Sequence, residues 1–216
     1  MKWTDNAWRS IEPVYKKTEQ LPFIQELITG SLPREKFLFY IRQDSLYLAD
    51  YVKALAGVAA KATKQSYIEA FIGYCGDCMY VENELHKTIF KDYGVSEKAQ
   101  PTPSCLLYTS YLLRLLNGPV EVLTAGVLPC FWVYKKIGEY ILANQTGGNN
   151  PYQSWIDTYG GEEFDHSVQK ILDICDEMAE AASPAIREAM TAACLYAARF
   201  EWLFWDSAYN LEEWKI

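Results

Sequence analysis

Apolar residues in this chain recur at intervals of three and four almost from end to end, and sustained apolar–polar alternation occurs nowhere. A strand with one buried face needs a period of two, and a buried helix face needs 3.6. The pattern therefore predicts an all-α chain with essentially no sheet. Breakers divide it into helical stretches near 4–18, 22–29, 33–62, 64–92, 102–116, 119–143, 150–157, 161–181 and 184–212. Pro33, Pro103, Pro119 and Pro184 stand where a helix begins, at the position whose amide has no partner anyway. Thr102 and Ser183 precede two of them as N-caps, and Gly30, Gly94 and Gly118 follow helical runs as C-terminal glycines. Pro13 lies inside the first stretch as a candidate point for splitting it. Several predicted helices are much longer than the usual three turns, which suits a multi-helix bundle. At 216 residues, one domain spanning 1–216 is the simplest expectation.

The helical stripes place chemistry where apolar side chains are due. Over 33–62, Phe37, Tyr40, Ile41, Tyr47, Leu48, Tyr51 and Leu55 share a face, and Asp44 falls at its centre. Over 184–212, Ile186, Met190, Cys194, Ala197, Phe204 and Ala208 share a face with Glu201, which is flanked by Phe200, Trp202 and Trp205. Over 119–143, Cys130 lies on the stripe of Val120, Leu123, Val127, Tyr134, Ile137 and Ile141, directly after Pro129. An ionisable group on such a stripe is costly to bury unless something uses or satisfies it. Asp44 would grip an amino group or a protonated ring nitrogen, or would bond a buried tyrosine for structure. Glu201 among aromatics would have a raised pKa suited to a general acid, or would pair with a buried cation. Cys130 would be a nucleophile or a small buried hydrophobe. Glu82 shares a face with Phe71, Cys75, Cys78 and Leu85, as a supporting acid behind the site or a structural one.

Charge and composition exclude several classes. The net charge of −8 and the absence of a basic stripe disfavour nucleic-acid binding and mildly favour cationic small molecules. Aromatics reach 15%, with 16 Tyr and 7 Trp, enough to fill helix gaps and still wall a pocket for a planar polar ring. The first residues lack the apolar core of a secretion signal, and the longest apolar run, 125–134, is too short to span a bilayer. A cytoplasmic protein is expected, with no membrane partner. Its six cysteines are then expected as free thiols. Cys75-Gly76-Asp77-Cys78 has redox spacing without a βαβ context, and reads as one helix face. With only two histidines, neither a zinc site nor a di-iron site built on Glu163 and His166 can be completed, so no metal is expected.

Taken together, certain segments resemble the TenA / thiaminase II family, an all-α, haem-oxygenase-like fold. They are Leu32-Pro33, Gln43-Asp44-Ser45-Leu46-Tyr47-Leu48, Tyr108-Thr109-Ser110, Leu128-Pro129-Cys130-Phe131-Trp132-Val133-Tyr134, Trp155-Ile156-Asp157-Thr158-Tyr159-Gly160-Gly161, and the run from Glu201 to Tyr209. The resemblance covers nearly the whole chain, and Cys130 places it with the cysteine-bearing class. It implies hydrolysis at the methylene on C5 of a 4-aminopyrimidine, with 4-amino-5-aminomethyl-2-methylpyrimidine or thiamine as substrate and the hydroxymethylpyrimidine of thiamine salvage as product. In that chemistry Cys130 adds to ring carbon C6, Glu201 protonates the adjacent nitrogen, and Asp44 holds the amino group. Tyr47, Tyr108, Tyr134, Tyr159 and Phe204 map to positions that stack on or hydrogen-bond the ring. No cofactor is implied, and a homotetramer is. The other class open to the chain is a non-catalytic aminopyrimidine-binding or regulatory protein.

Overall fold

A computed structural model describes residues 2–80, 87–93, 99–145, 149–160 and 162–216. Among them are ten α-helices and no strand: α1 Trp3–Glu19, α2 Pro22–Thr29, α3 Arg34–Lys61, α4 Gln65–Tyr80, α5 Lys87–Tyr93, α6 Pro103–Leu115, α7 Val120–Asn144, α8 Gln153–Gly160, α9 Glu162–Ala181 and α10 Pro184–Tyr209. The all-α expectation holds. The stretch predicted over 64–92 contains α4 and α5, and residues 81–86 between them, with Glu82 and His86, lie outside the described residues. Gly94 lies outside them too.

The helix ends follow local chemistry. Thr102 accepts from the Cys105 amide at 3.1 Å and Ser183 from the Ile186 amide at 3.3 Å. Each satisfies one of the donors that a helix start leaves open. Pro103 and Pro184 follow them at the first helical position. Pro33 and Pro119 differ from expectation. They are cap residues with extended ψ of 130° and 144°, and the helix starts one residue later. Proline fixes φ but not ψ, so either place suits it. Pro13 does not split α1. The face of Ala7, Ile11 and Tyr15 is buried, and packing against α10 outweighs one lost backbone bond. Gly30 caps α2 at φ +70°, a conformation costly for any residue with a Cβ.

α7 is the structural axis. Its largest interface is with α10, and α3, α6, α8 and α9 also pack on it. Fifteen of its residues, from Val122 to Ile141, are buried. α6 approaches α3 and α7 over glycine. A Cβ on Gly57 would sit 2.1 Å from Leu116 Cδ2, and one on Gly126 would sit 2.4 Å from Leu115 Cδ1. That close approach brings Tyr108 of α6 to the centre of the bundle, where it is 1% exposed.

Gly30→Ala should lower stability by about 1 kcal/mol through the left-handed backbone, a fall of about 2–4 °C in Tm. Thermal melting of the variant checks this, and an unchanged Tm would mean that α2 ends differently.

Candidate active site

Three faces converge between α3, α7 and α10. Asp44 of α3 and Glu201 of α10 are only 2% and 1% exposed. Cys130 of α7 is half-buried. Asp44, Cys130, Tyr134 and Tyr159 line one cavity of about 100 Å³. Leu48 and Tyr51 of α3, Phe131 of α7, Tyr74, Asp77 and Cys78 of α4, Thr158 of α8, and Phe164 and Ser167 of α9 complete its wall. Glu201, Tyr47, Tyr108 and Phe204 are outside that lining but adjoin it. The Tyr108 hydroxyl donates to Glu201 Oε1 at 2.7 Å. Tyr47 lies against Tyr108 with ring centroids 4.9 Å apart, and Phe204 packs on Tyr47 at 5.7 Å.

Local folding explains how each group is held. Pro129 has no amide to bond the Ala125 carbonyl, so the α7 ladder is interrupted one residue before Cys130. Nearby, the Tyr51 hydroxyl donates to the Val127 carbonyl at 2.8 Å, tying α3 to this part of α7. Tyr134, one turn past the cysteine, has its hydroxyl 3.0 Å from that of Tyr40 and accepts from Trp205 Nε1 at 3.2 Å. Those bonds fix its ring. Tyr159 and Trp155 of α8 close over Tyr134, with Tyr159 at 5.0 Å centroid distance.

Burial sets the electrostatics. It pushes the Glu201 carboxyl up to about 8; the charge of Asp44 adds to the rise, and the Tyr108 hydrogen bond opposes it. Near neutrality Glu201 is thus mostly a neutral acid able to give a proton. Burial also pushes the Cys130 thiol well above its ordinary value, helped by the charge of Glu201, while the Tyr47 hydroxyl works the other way. Tyr47 is buried, and its hydroxyl makes no hydrogen bond of full geometry, although it lies beside both the thiol and Tyr108. Among the described residues no Lys, Arg or His lines the cavity. Arg199 is exposed and lies 5.5 Å over the Tyr196 ring, so it does not neutralise Glu201.

Among the described residues no group of three or more His, Cys, Asp or Glu is placed to hold a metal ion. His166 is exposed on α9. Sequence reasoning missed the α4 wall. Cys75 and Cys78 were read as one helix face, but Tyr74 and Asp77, which sit at i and i+3 with Cys78 at i+4, were not singled out as part of a site.

The bundle resembles solved structures. A domain from Shewanella denitrificans with a haem-oxygenase-like fold superposes with TM-score 0.74 at 11% identity, covering 96% of this chain and 92% of that one, which identifies the fold. A TenA family transcription regulator from Silicibacter superposes with TM-score 0.89 at 26% identity, covering 97% of each chain. An aminopyrimidine aminohydrolase of Halalkalibacterium halodurans is 31% identical over 220 residues, 99% of this chain and 98% of that protein. The fold is thus haem-oxygenase-like. Residues 8–211 match the TENA/THI-4/PQQC family, and the chain belongs to it.

The Glu201 pKa carries a stability consequence. In the unfolded chain this carboxyl ionises near 4.5; in the folded protein it does so near 8. Between those values the folded state holds a proton that the unfolded state has released, so stability falls as pH rises through the interval and levels off above it. Glu201→Gln keeps an acceptor for Tyr108 and removes that penalty. Its Tm should exceed that of the parent by a few degrees at about pH 8.5 and by much less at about pH 5. Melts at both pH values check this, and an equal difference at each would refute it.

Proposed function

We propose that the protein is an aminopyrimidine aminohydrolase of thiamine salvage. It would convert 4-amino-5-aminomethyl-2-methylpyrimidine, and thiamine, to hydroxymethylpyrimidine by covalent cysteine catalysis. The observation that carries this reading is one cavity bounded by a buried carboxylate and a cysteine, with a raised-pKa acid beside it that Tyr108 hydrogen-bonds. The H. halodurans relative supports it by name. Asp44 holds the 4-amino group and a ring nitrogen. Cys130 Sγ bonds to C6 while Glu201 protonates the adjacent nitrogen, and aromaticity is lost. The ring electrons then expel ammonia or the thiazole from the methylene carbon. Water adds there, the proton returns, and the cysteine leaves.

The Cys130 thiol, with its raised pKa, has to lose its proton as it adds. The hydroxyls of Tyr47 and Tyr108 lie between Cys130 and Glu201, which supports a relay. Glu201 gives its proton to the ring and is reloaded through Tyr108 and Tyr47 from the thiol. One proton moves in net terms, from sulfur to ring nitrogen, and no free thiolate accumulates. A regulatory role through direct DNA contact sits poorly with a net charge of −8.

Turnover assays on both substrates test the reading. Cys130→Ser should lower kcat by about a thousand-fold or more with the fold intact, because a hydroxyl is far less nucleophilic than a thiolate. Glu201→Gln should lower kcat by about a hundred-fold or more and leave binding nearly unchanged. Asp44→Asn should weaken binding and rate together, and Tyr47→Phe should lower kcat with little change in KM. Stoichiometric binding without product would make the protein a sensor. Near-normal kcat in Cys130→Ser would exclude the covalent step.

We also propose that it works in the cytoplasm as a homotetramer. Among the described residues no helix is long and apolar enough to cross a membrane. Ile72, Met79 and Tyr80 on α4, Leu106 and Leu107 on α6, and Tyr196 on α10 are exposed apolar surface that identical copies would cover. Light scattering should give the mass of four chains at micromolar concentration, and a monomer mass would overturn the assembly without touching the chemistry.

A further inference from the structure

Helix α10 carries Glu201 and then turns its own tail back onto α6. Leu211, just past α10, has φ +51°, and among the described residues it is the one non-glycine with a positive φ. A Cβ makes that conformation costly, and it persists where surrounding contacts hold it. The turn is closed by the Glu212 amide, which donates to the Ser207 carbonyl at 2.9 Å. It delivers the Glu212 carboxylate to the start of α6, where the Ser104 amide and hydroxyl donate to it at 2.9 and 3.1 Å. From the other side comes Gln43 of α3, only 4% exposed. Its Oε1 accepts from the Thr102 amide at 2.9 Å, and its Nε2 donates to the Gln100 carbonyl at 3.0 Å. The start of α6 is thus gripped by α3 and by the tail of α10.

We infer that Gln43 and Glu212 are positioning residues that hold the start of α6 and so keep the Tyr108 hydroxyl on Glu201. The inference rests on the hydrolytic reading above, in which Glu201 gives a proton to the ring and regains it through Tyr108. Helical spacing connects the grip to the site. Ser104 and Tyr108 are one turn apart on α6, and Gln43 and Tyr47 are one turn apart on α3. Tyr47 lies against Tyr108 at 4.9 Å between centroids, and Tyr108 donates to Glu201 at 2.7 Å. The other end of α6 is seated by Leu115 and Leu116 over Gly126 and Gly57, so the grip at its start fixes both ends, with Tyr108 between them. The titratable groups facing Glu201 are Asp44 and Tyr47 of α3, Tyr108 of α6, Cys130 and Tyr134 of α7, and Tyr159 of α8. Gln43 and Glu212 are not among them and do not line the cavity, so they act through Tyr108.

The test compares the parent, Glu212→Ala, Glu212→Gln, Gln43→Met and Tyr108→Phe by kinetics on the aminomethyl pyrimidine and by carboxyl-carbon NMR of glutamate-labelled protein. The Glu201 signal is the one missing from Glu201→Gln. Glu212→Ala should lower kcat by about three- to ten-fold with KM nearly unchanged, the effect of loosening one hydrogen bond. It should also raise the midpoint of the Glu201 titration, as Tyr108→Phe does, because the Tyr108 bond opposes the rise that burial causes. Removing the Glu212 charge alone would lower that midpoint, so the direction separates positioning from electrostatics. Glu212→Gln keeps an acceptor for the Ser104 amide and should stay close to the parent in both readouts. Gln43→Met should act as Glu212→Ala does. Because it leaves buried backbone groups unpaired and risks the fold, the half-buried Glu212 decides the matter. Adding Glu212→Ala to Tyr108→Phe should cost nothing further in kcat, since both changes act on one bond. A lower Tm in Glu212→Ala with kcat and the Glu201 midpoint unmoved would make the grip purely structural and overturn the inference, as would a fallen midpoint or additive losses in the double variant. If the parent turns over neither substrate, the hydrolytic reading falls, and the titration of Glu201 still decides whether the grip holds Tyr108 in place.

Discussion

The hydrogen bond from Tyr108 to Glu201 is the interaction on which the centre of this protein depends. It joins α6 to α10 inside the bundle, where an unsatisfied carboxyl would be among the most costly groups to bury. The bond reduces that cost without cancelling it, because the carboxyl still titrates far above its ordinary range. The residual cost is what makes the group an acid at neutral pH. Were Tyr108 replaced by a cation, Glu201 would be cheaper to hold and would no longer carry a proton there.

The aromatic richness of the chain follows from the same constraint. Tyr40, Tyr47, Tyr51, Tyr108 and Tyr134 surround the three candidate reactive groups with flat apolar faces, and three of them direct hydroxyls to specific oxygens. A tyrosine excludes water and still satisfies a buried acceptor, which phenylalanine or leucine cannot do. The two ends of the cavity then have different surroundings. The inner end, at Asp44, is buried, and the α4 side carries the exposed Asp77.

Much of the fold was legible in the sequence because helix signals are local. The proline-led starts after Thr102 and Ser183, the glycine end of α2 and the apolar stripes of α3, α7 and α10 are each written within a few residues. Asp44, Glu201 and Cys130 stood out because a polar group on an apolar face is visible within one helix. Their mutual placement was not visible from spacing. The Tyr108–Glu201 bond spans 93 residues and the Tyr40–Tyr134 contact 94, and no helical period predicts such pairs. Family resemblance supplied the grouping that periodicity could not. The α4 wall was missed for the opposite reason: Asp77 is exposed, so nothing in the pattern separated it from an ordinary solvated acid. The break that Pro13 left open does not occur, because the penalty of an internal proline is local, while the packing that overrides it is tertiary.

The interruption that Pro129 makes in α7 has a consequence for how this centre can be altered. The missing backbone bond comes from the covalent ring of proline and is present in every conformation the chain visits, folded or unfolded. The gap in the α7 ladder before Cys130 is therefore inherited from connectivity, and no ligand has to induce it. That gap stays whatever side chains line the cavity around it. In engineering terms, α7 is the fixed jaw of the site, and α4, α8 and α9 are the jaws available for redesign.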